Sequence, residues 1–249
     1  MIIRICDVET CGLPPDNMQV VEVATVDLVQ EGETWTRGRM WSSLVNPQCE
    51  IPPAASGVHH ITDDMVKDAP TIDRLGEKIW LLDSDGDSLG SPNFYAAHNA
   101  KFEVLALGAH KGSPPPKFIC TYKAAVLAWP DSPSHKNHVL RYFLKLNLAD
   151  PSLAAPHRAL GDAYVTAALL RRMLADFTWT PEQIWEQTSK PIILPRLHFG
   201  KHVGVPCKDI PSDYWNWVAA NVKDDEDVTH TARFYLNQRQ AAQRSRSPV

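Results

Sequence analysis

Ile2-Ile3-Arg4-Ile5-Cys6-Asp7-Val8-Glu9-Thr10-Cys11-Gly12 decides how the whole chain is read. Its front half is a β-branched run of the kind that forms a buried central strand. Two carboxylates, Asp7 and Glu9, stand at the end of that run, two positions apart. Side chains on a strand repeat every two residues, so both leave on one face. Like charges side by side on a buried strand repel and lose solvation, and a divalent cation relieves both penalties. Hard oxygen ligands suit magnesium or manganese. Thr10-Cys11-Gly12 then turns the chain, and Gly12 allows backbone to approach a ligand closely. On this stretch alone, two solvated acids at a strand end explain the pattern equally well.

A chain of 249 residues accommodates one large domain, or a domain with a small appendage. No run approaches the roughly 18 apolar residues of a membrane span, so no membrane partner is expected. The first strand begins at Ile2, which leaves no room for a signal peptide. Cys6, Cys11, Cys49, Cys120 and Cys207 are scattered and contain no CxxC pair. Reduced thiols in a cytoplasmic protein follow, rather than disulfides or a zinc site.

The net charge of −4 conceals an asymmetry. Residues 1–100 carry 6 Lys/Arg against 16 Asp/Glu, residues 101–172 carry 10 against 4, and the remainder carries 9 of each. An acidic half that holds cations, followed by a basic stretch that holds phosphates, fits a polyanionic substrate. Ordinary solvated faces produce such blocks as well.

Residues 20–29 alternate as a second strand, Glu31-Gly32-Glu33 makes a turn, and Trp35 to Val45 carries a third strand. Three successive strands with short turns predict an antiparallel meander. Pro52-Pro53 marks a loop beyond it. Thr62 caps a short helix through Lys67, and Pro70-Thr71 opens a longer one ending near Asp83. Asp83-Ser84-Asp85-Gly86-Asp87 invites a calcium-loop reading, but its glycine falls fourth instead of sixth and the twelfth residue is Phe94. An acidic surface turn explains it better. Phe94 to Ala97 reads as a strand, 100–110 as a helix, Ile119 to Thr121 as a strand, and 122–128 and 138–146 as helices. His135 and His138 lack the third ligand zinc requires and read as a solvated loop and helix start.

Leu160 to Ala175 is the clearest helix, and Thr180-Pro181-Glu182-Gln183 has the form of a capping box with proline at the first helical position. Beyond it lie a glycine-flanked turn, Phe199 to Gly204, and an aromatic helix around Tyr214, Trp215 and Trp217. The expected division is a catalytic domain over 1–176 and an accessory module over 177–249, with a disordered tail from Gln243.

Three segments place acids where a core would not want them: Asp7 and Glu9 on the first strand, Glu103 one turn into a helix, and Asp162 early on the long helix. His157 precedes Asp162 by five residues, about 140° around a helix, so the two cannot share one helical face. That puts His157 in the loop opened by Pro156.

Asp7-Val8-Glu9-Thr10-Cys11-Gly12, His98-Asn99-Ala100-Lys101-Phe102-Glu103 and His157-Arg158-Ala159-Leu160-Gly161-Asp162 resemble the three motifs of the DEDDh 3′-to-5′ exonucleases, in order and at family-like separations. The likeness extends through His59-His60-Ile61-Thr62 and Phe199-Gly200-Lys201, nearly the whole chain. It implies an α/β, ribonuclease-H-like fold: a mixed β-sheet flanked by helices, here with a small C-terminal accessory module. It implies hydrolysis of phosphodiester bonds at DNA or RNA 3′ ends, with DNA favoured, releasing nucleoside 5′-monophosphates. The cofactor is then Mg2+, with Mn2+ able to substitute, two ions per site. Asp7, Glu9, Glu103 and Asp162 would hold the metal and His157 would be the general base. Thr10, Gly12 and Leu13 would contact the terminal nucleotide, with His59, Ile61 and Asn99 beside it. A homodimer and a place in DNA repair are open to a member of this family.

The chemistry suits those roles. Two cations about 4 Å apart neutralise an anionic phosphodiester and stabilise its leaving oxygen. Histidine titrates near neutrality and can take the proton of a water. One position departs from the family pattern, which has aspartate where this chain has Glu103. The extra methylene moves the carboxylate by more than a bond length, which a well-packed metal site would register. The alternatives to an active DNA exonuclease are a non-catalytic or weakly active nucleic-acid-binding relative and an RNA-directed 3′ exoribonuclease.

Overall fold

The computed structural model describes residues 1–13, 18–80, 92–108 and 117–244. Strand β1 (Ile2–Thr10) is the middle of a five-stranded sheet ordered β3-β2-β1-β4-β5. Strands β2 (Val20–Glu31) and β3 (Thr34–Leu44) form the expected antiparallel meander on one side. Strands β4 (Phe94–Ala97) and β5 (Phe118–Cys120) run parallel to β1 on the other. The sheet is therefore mixed.

The two faces of β1 have separate cores. Ile3 and Ile5 join the cluster containing Ala24, Val26, Phe94 and Ile119, whereas Cys6 and Val8 join the one around Val23, Ile79, Tyr95 and Leu107. Asp7 and Glu9 continue the face of Ile3 and Ile5, because a strand alternates. On the opposite face Arg4 sits directly across from Asp27 and bonds its carboxylate through both Nε and Nη2 at 2.8 Å, in full burial. Removing one partner of such a buried pair costs about 3–5 kcal/mol, so it pins the β1–β2 register.

Among the described residues between β3 and β4 are the short helices α1 (Pro53–His59), α2 (Asp63–Val66) and α3 (Gly76–Trp80). The loop expected at Pro52-Pro53 is in fact the start of α1. Proline lacks an N–H, which the first turn of a helix does not need. The longer helix expected after Pro70 is a 3₁₀ turn, Ile72–Arg74, followed by α3. Its continuation towards Asp83, and the acidic run Asp83–Asp87, lie outside the described residues.

Helices α4 (Ala100–Gly108) and α5 (Thr121–Ala128) flank the parallel strands. Helix α6 (Asn137–Phe143) begins one residue before the expected start and stops earlier, with Lys145 in a left-handed conformation. Helix α7 (Ala159–Asp176) lies on the face of Ile3 and Ile5. Its Ala159, Ala163 and Ala167 are buried there at every fourth position, and small residues let a helix sit close to the sheet.

The capping box at the head of α8 (Pro181–Thr188) is formed as expected, with Thr180 and Gln183 exchanging backbone and side-chain bonds at 2.9 and 3.3 Å. Helices α9 (Ser212–Asn221) and α10 (Glu226–Arg244) complete the chain. They share a cluster with Ile192, Leu194, Leu197, Cys207 and Ile210, and that cluster also takes in Val126 of α5. Helix α10 was not expected. Its apolar stripe is only Val228, Ala232, Tyr235 and Leu236 in a polar sequence. It runs through Gln243 and Arg244, where a disordered tail was expected; residues 245–249 lie outside the description.

Candidate active site

Asp7 and Glu9 reach the α7 side of the sheet, and Asp162 projects from the first turn of α7. One carboxylate oxygen from each of the three lies within 4.8 Å of the others. Glu103, from the first turn of α4, stands outside that group, yet its charge reaches Asp7. It is only 4 % exposed, and its Oε2 has no hydrogen-bond partner.

Burial, and then the charges of Glu103, Asp162, Glu9 and Glu22, hold the Asp7 carboxyl well above the usual carboxylate range. Burial and then Asp162 and Glu22 push Glu9 up to about 8, with Arg158 opposing. Burial and the charge of Glu9 push Glu103 up to about 8. Carboxylates crowded in this way repel one another, and divalent cations are the counter-charge that lets them ionise together. An oxygen-only donor set with an orphaned buried oxygen fits magnesium or manganese.

His157 lies where expected, exposed in the loop ahead of α7, with a left-handed φ of 57°. Its backbone N donates to Asp162 Oδ2 at 3.0 Å, so the loop is folded back onto the first turn of the helix. Two features hold that loop. Glu22, buried on β2 across from Glu9, accepts from Arg158 Nε at 3.0 Å, Arg158 Nη2 at 2.6 Å and Ala159 N at 2.9 Å. At Gly161 a Cβ would meet the Ala155 carbonyl oxygen at 2.0 Å, so only glycine lets the loop lie against α7.

The other oxygen of Asp162, Oδ1, lies 2.7 Å from His138 Nε2, while Asn137 Nδ2 donates to the Asp162 carbonyl at 3.0 Å. Reading the chain alone left His138 as a solvated helix start. Its contact is 24 residues away in sequence and leaves no local pattern. His135 Nε2 turns to the Trp129 carbonyl instead.

The residues expected around a terminal nucleotide divide. Thr10 Oγ1 donates to the Gly12 carbonyl at 2.7 Å and holds the turn, and Leu13 beyond it is 72 % exposed. Asn99 is exposed at the head of α4 with a left-handed φ of 87°. His59 is buried, its Nδ1 accepting from Ile61 N at 3.0 Å and its Nε2 without a partner. Ile61 is 0 % exposed, clustered with Cys11, Val21, Ile51 and Val66. Its side chain packs in that apolar cluster beside Cys11 of the turn.

A mixed five-stranded sheet flanked by helices, with carboxylates of its central strand and of α7 gathered on one face, is the ribonuclease-H-like arrangement. A sequence profile of the exonuclease family matches residues 5–170. Exodeoxyribonuclease 10 of Escherichia coli K12 is 34 % identical over 239 residues, 94 % of this chain and 99 % of that protein. DNA polymerase III subunit epsilon of Treponema pallidum is 31 % identical over 174 residues, 68 % of this chain and 74 % of that protein. Exonuclease X in complex with 5′-overhanging duplex DNA superposes with a TM-score of 0.61 at 36 % identity, covering 75 % of this chain and 99 % of that one. The nuclease domain of 3′hExo, a DEDDh family member bound to rAMP, shares the fold, with a TM-score of 0.53 at 20 % identity over 70 % of this chain and 92 % of that one. The chain belongs to the exonuclease family, and it is a 3′-to-5′ exonuclease of the DEDDh type.

Proposed function

We propose that this exonuclease removes nucleoside 5′-monophosphates from DNA 3′ ends, using magnesium held by Asp7, Glu9, Asp162 and Glu103. The observation that carries the metal reading is the convergence of three carboxylates beside the partnerless Oε2 of Glu103. Bound cations supply charge neutralisation and Lewis acidity at the scissile phosphodiester. His157, exposed on its loop, accepts the proton of the attacking water. Thr10, Gly12, Leu13, His59 and Asn99 form the wall for the terminal nucleotide. DNA is favoured over RNA by the likeness to exodeoxyribonuclease 10 along nearly the full chain and to a relative bound to duplex DNA. Residues 177–249 act as an accessory module, and scattered cysteine thiols suit a cytoplasmic protein.

The test is mononucleotide release from matched DNA and RNA oligonucleotides labelled at the 5′ end. A 3′-shortening ladder on DNA, abolished by EDTA and restored by Mg2+, is the expected result. Undiminished cleavage in excess chelator would sink the metal reading, and preference for RNA would reassign the substrate. Glu103 in place of aspartate favours a second reading, a relative that binds nucleic acid without cutting it. Binding without release in the same assay would select it.

A further inference from the structure

Asp162 is gripped from two sides. The His157 backbone N takes Oδ2 at 3.0 Å, and His138 Nε2 lies 2.7 Å from Oδ1. A carboxylate only accepts, so Nε2 carries the proton of that second bond. Helix α6 is well placed to make it. Leu140, fully buried, packs in the same core as α7, and Arg141 Nη1 donates to the Ala154 carbonyl at 3.1 Å, at the head of the His157 loop. Asn137 holds the Asp162 carbonyl at 3.0 Å, so successive residues of α6 fix both the backbone and the side chain of Asp162.

An aspartate carboxyl otherwise turns easily, because its terminal torsion is broad. Each carboxylate oxygen has two lone-pair sites. A donor on one site of each oxygen sets the plane of the group and leaves one site on each oxygen for a cation shared with Asp7 and Glu9, whose carboxylate oxygens lie within 4.8 Å.

We propose that His138 is a positioning residue of the metal centre, fixing the Asp162 carboxylate so that the site binds divalent cations tightly. The proposal rests on the reading of Asp7, Glu9 and Asp162 as metal ligands. It assigns His138 no part in proton transfer, which is left to His157.

The test is a Mn2+ titration by calorimetry on the full chain without nucleic acid, comparing wild type, His138→Leu, His138→Gln and Asp162→Asn. Loss of a group that orients a ligand costs about 10–100-fold in metal affinity. His138→Leu is expected to weaken binding in that range. His138→Gln, which places an N–H at a similar reach, should restore it to within a few-fold. Binding by His138→Leu equal to wild type, while Asp162→Asn binds weakly, overturns the positioning role and leaves the metal centre standing. Equal binding by all four proteins overturns the metal centre and this proposal with it. Tighter binding by His138→Leu would mean that the ring competes with the cation for Oδ1, and a glutamine variant as weak as leucine would mean that bulk rather than the donor matters. Either result overturns the proposal.

Discussion

Glu103 buries a carboxylate whose Oε2 meets no donor, and a cation would relieve that loss. Glu103→Gln removes the charge and keeps the size, so turnover should fall by about 10²-fold or more with a raised magnesium demand. Glu103→Asp separates two pockets: lower turnover means that the site has adapted to glutamate, and higher turnover means that it has kept an aspartate-shaped geometry. Wild-type rates in Glu103→Gln would leave Asp7, Glu9 and Asp162 as the whole ligand set. His157→Ala should lower turnover by about 10²–10⁴-fold with nucleic-acid affinity nearly intact, because it removes a proton acceptor and no metal ligand. The acids also set a pH dependence. Glu9 and Glu103 titrate at about 8 in the folded chain against 4.5 in the reference state, so between those values the folded protein binds more protons than the unfolded one. The contribution of these two groups to the stability of the metal-free protein is then full below about pH 4.5 and is lost as pH rises towards about 8. Melting in EDTA should therefore drop from about pH 5.5 to about pH 8, and magnesium should recover it mainly at the higher pH. A melting temperature that climbs over that range would contradict the raised values.

The loop before α7 is the element on which the site depends, and Gly161 and Glu22 are two of its anchors. Gly161→Ala drives a Cβ into the Ala155 backbone, which cannot yield like a flexible side chain. Turnover should fall by about 10²-fold, since a displacement of about 1 Å has that cost, while the β1 carboxylates stay in place. Normal kinetics in a Gly161→Ala protein would show that the loop relaxes without consequence. Much at this scale was legible in the chain. The meander, the alternation that puts Asp7 and Glu9 on one face, the α8 capping box and the loop position of His157 all follow from local periodicity or local caps. What was not legible depends on distant partners. Glu22 looks like an ordinary strand acid until Arg158, 136 residues on, closes on it. His138 looks like a solvated helix start until α6 and α7 meet. Helix α10 hides because four anchors are all its cluster requires.

At the scale of the whole molecule, residues 177–249, proposed above as an accessory module, lie apart in sequence from the clustered carboxylates Asp7, Glu9 and Asp162. Trp215 is fully buried and stacks on Tyr235 at 5.9 Å, so it serves the cluster that α9 and α10 share with Val126. Trp217 is different: it is 50 % exposed, stacks on Tyr214 at 5.5 Å, and Lys201 Nζ lies 5.1 Å from the same Tyr214 ring. A cation beside an exposed aromatic suits single-stranded nucleic acid, where phosphate and base are held together. A cleft of about 610 Å³ separates this module from Asn99, Lys101 and Lys136 on the catalytic side. Deleting residues 177–249 is a poor test, because Val126 of α5 shares their cluster and Lys123 bonds Asp227 at 3.0 Å, so the cut would bare part of α5. Lys201→Ala combined with Trp217→Ala leaves both cores intact. Loss of one stacked base costs about 1–3 kcal/mol, so affinity for a long single strand should fall by roughly 5- to 150-fold. Removing one phosphate contact should also lower the salt dependence by about 0.7 in slope. Cleavage of a dinucleotide, too short to reach the module, should be unaffected. Long-strand affinity and salt slope equal to wild type would restrict these residues to packing.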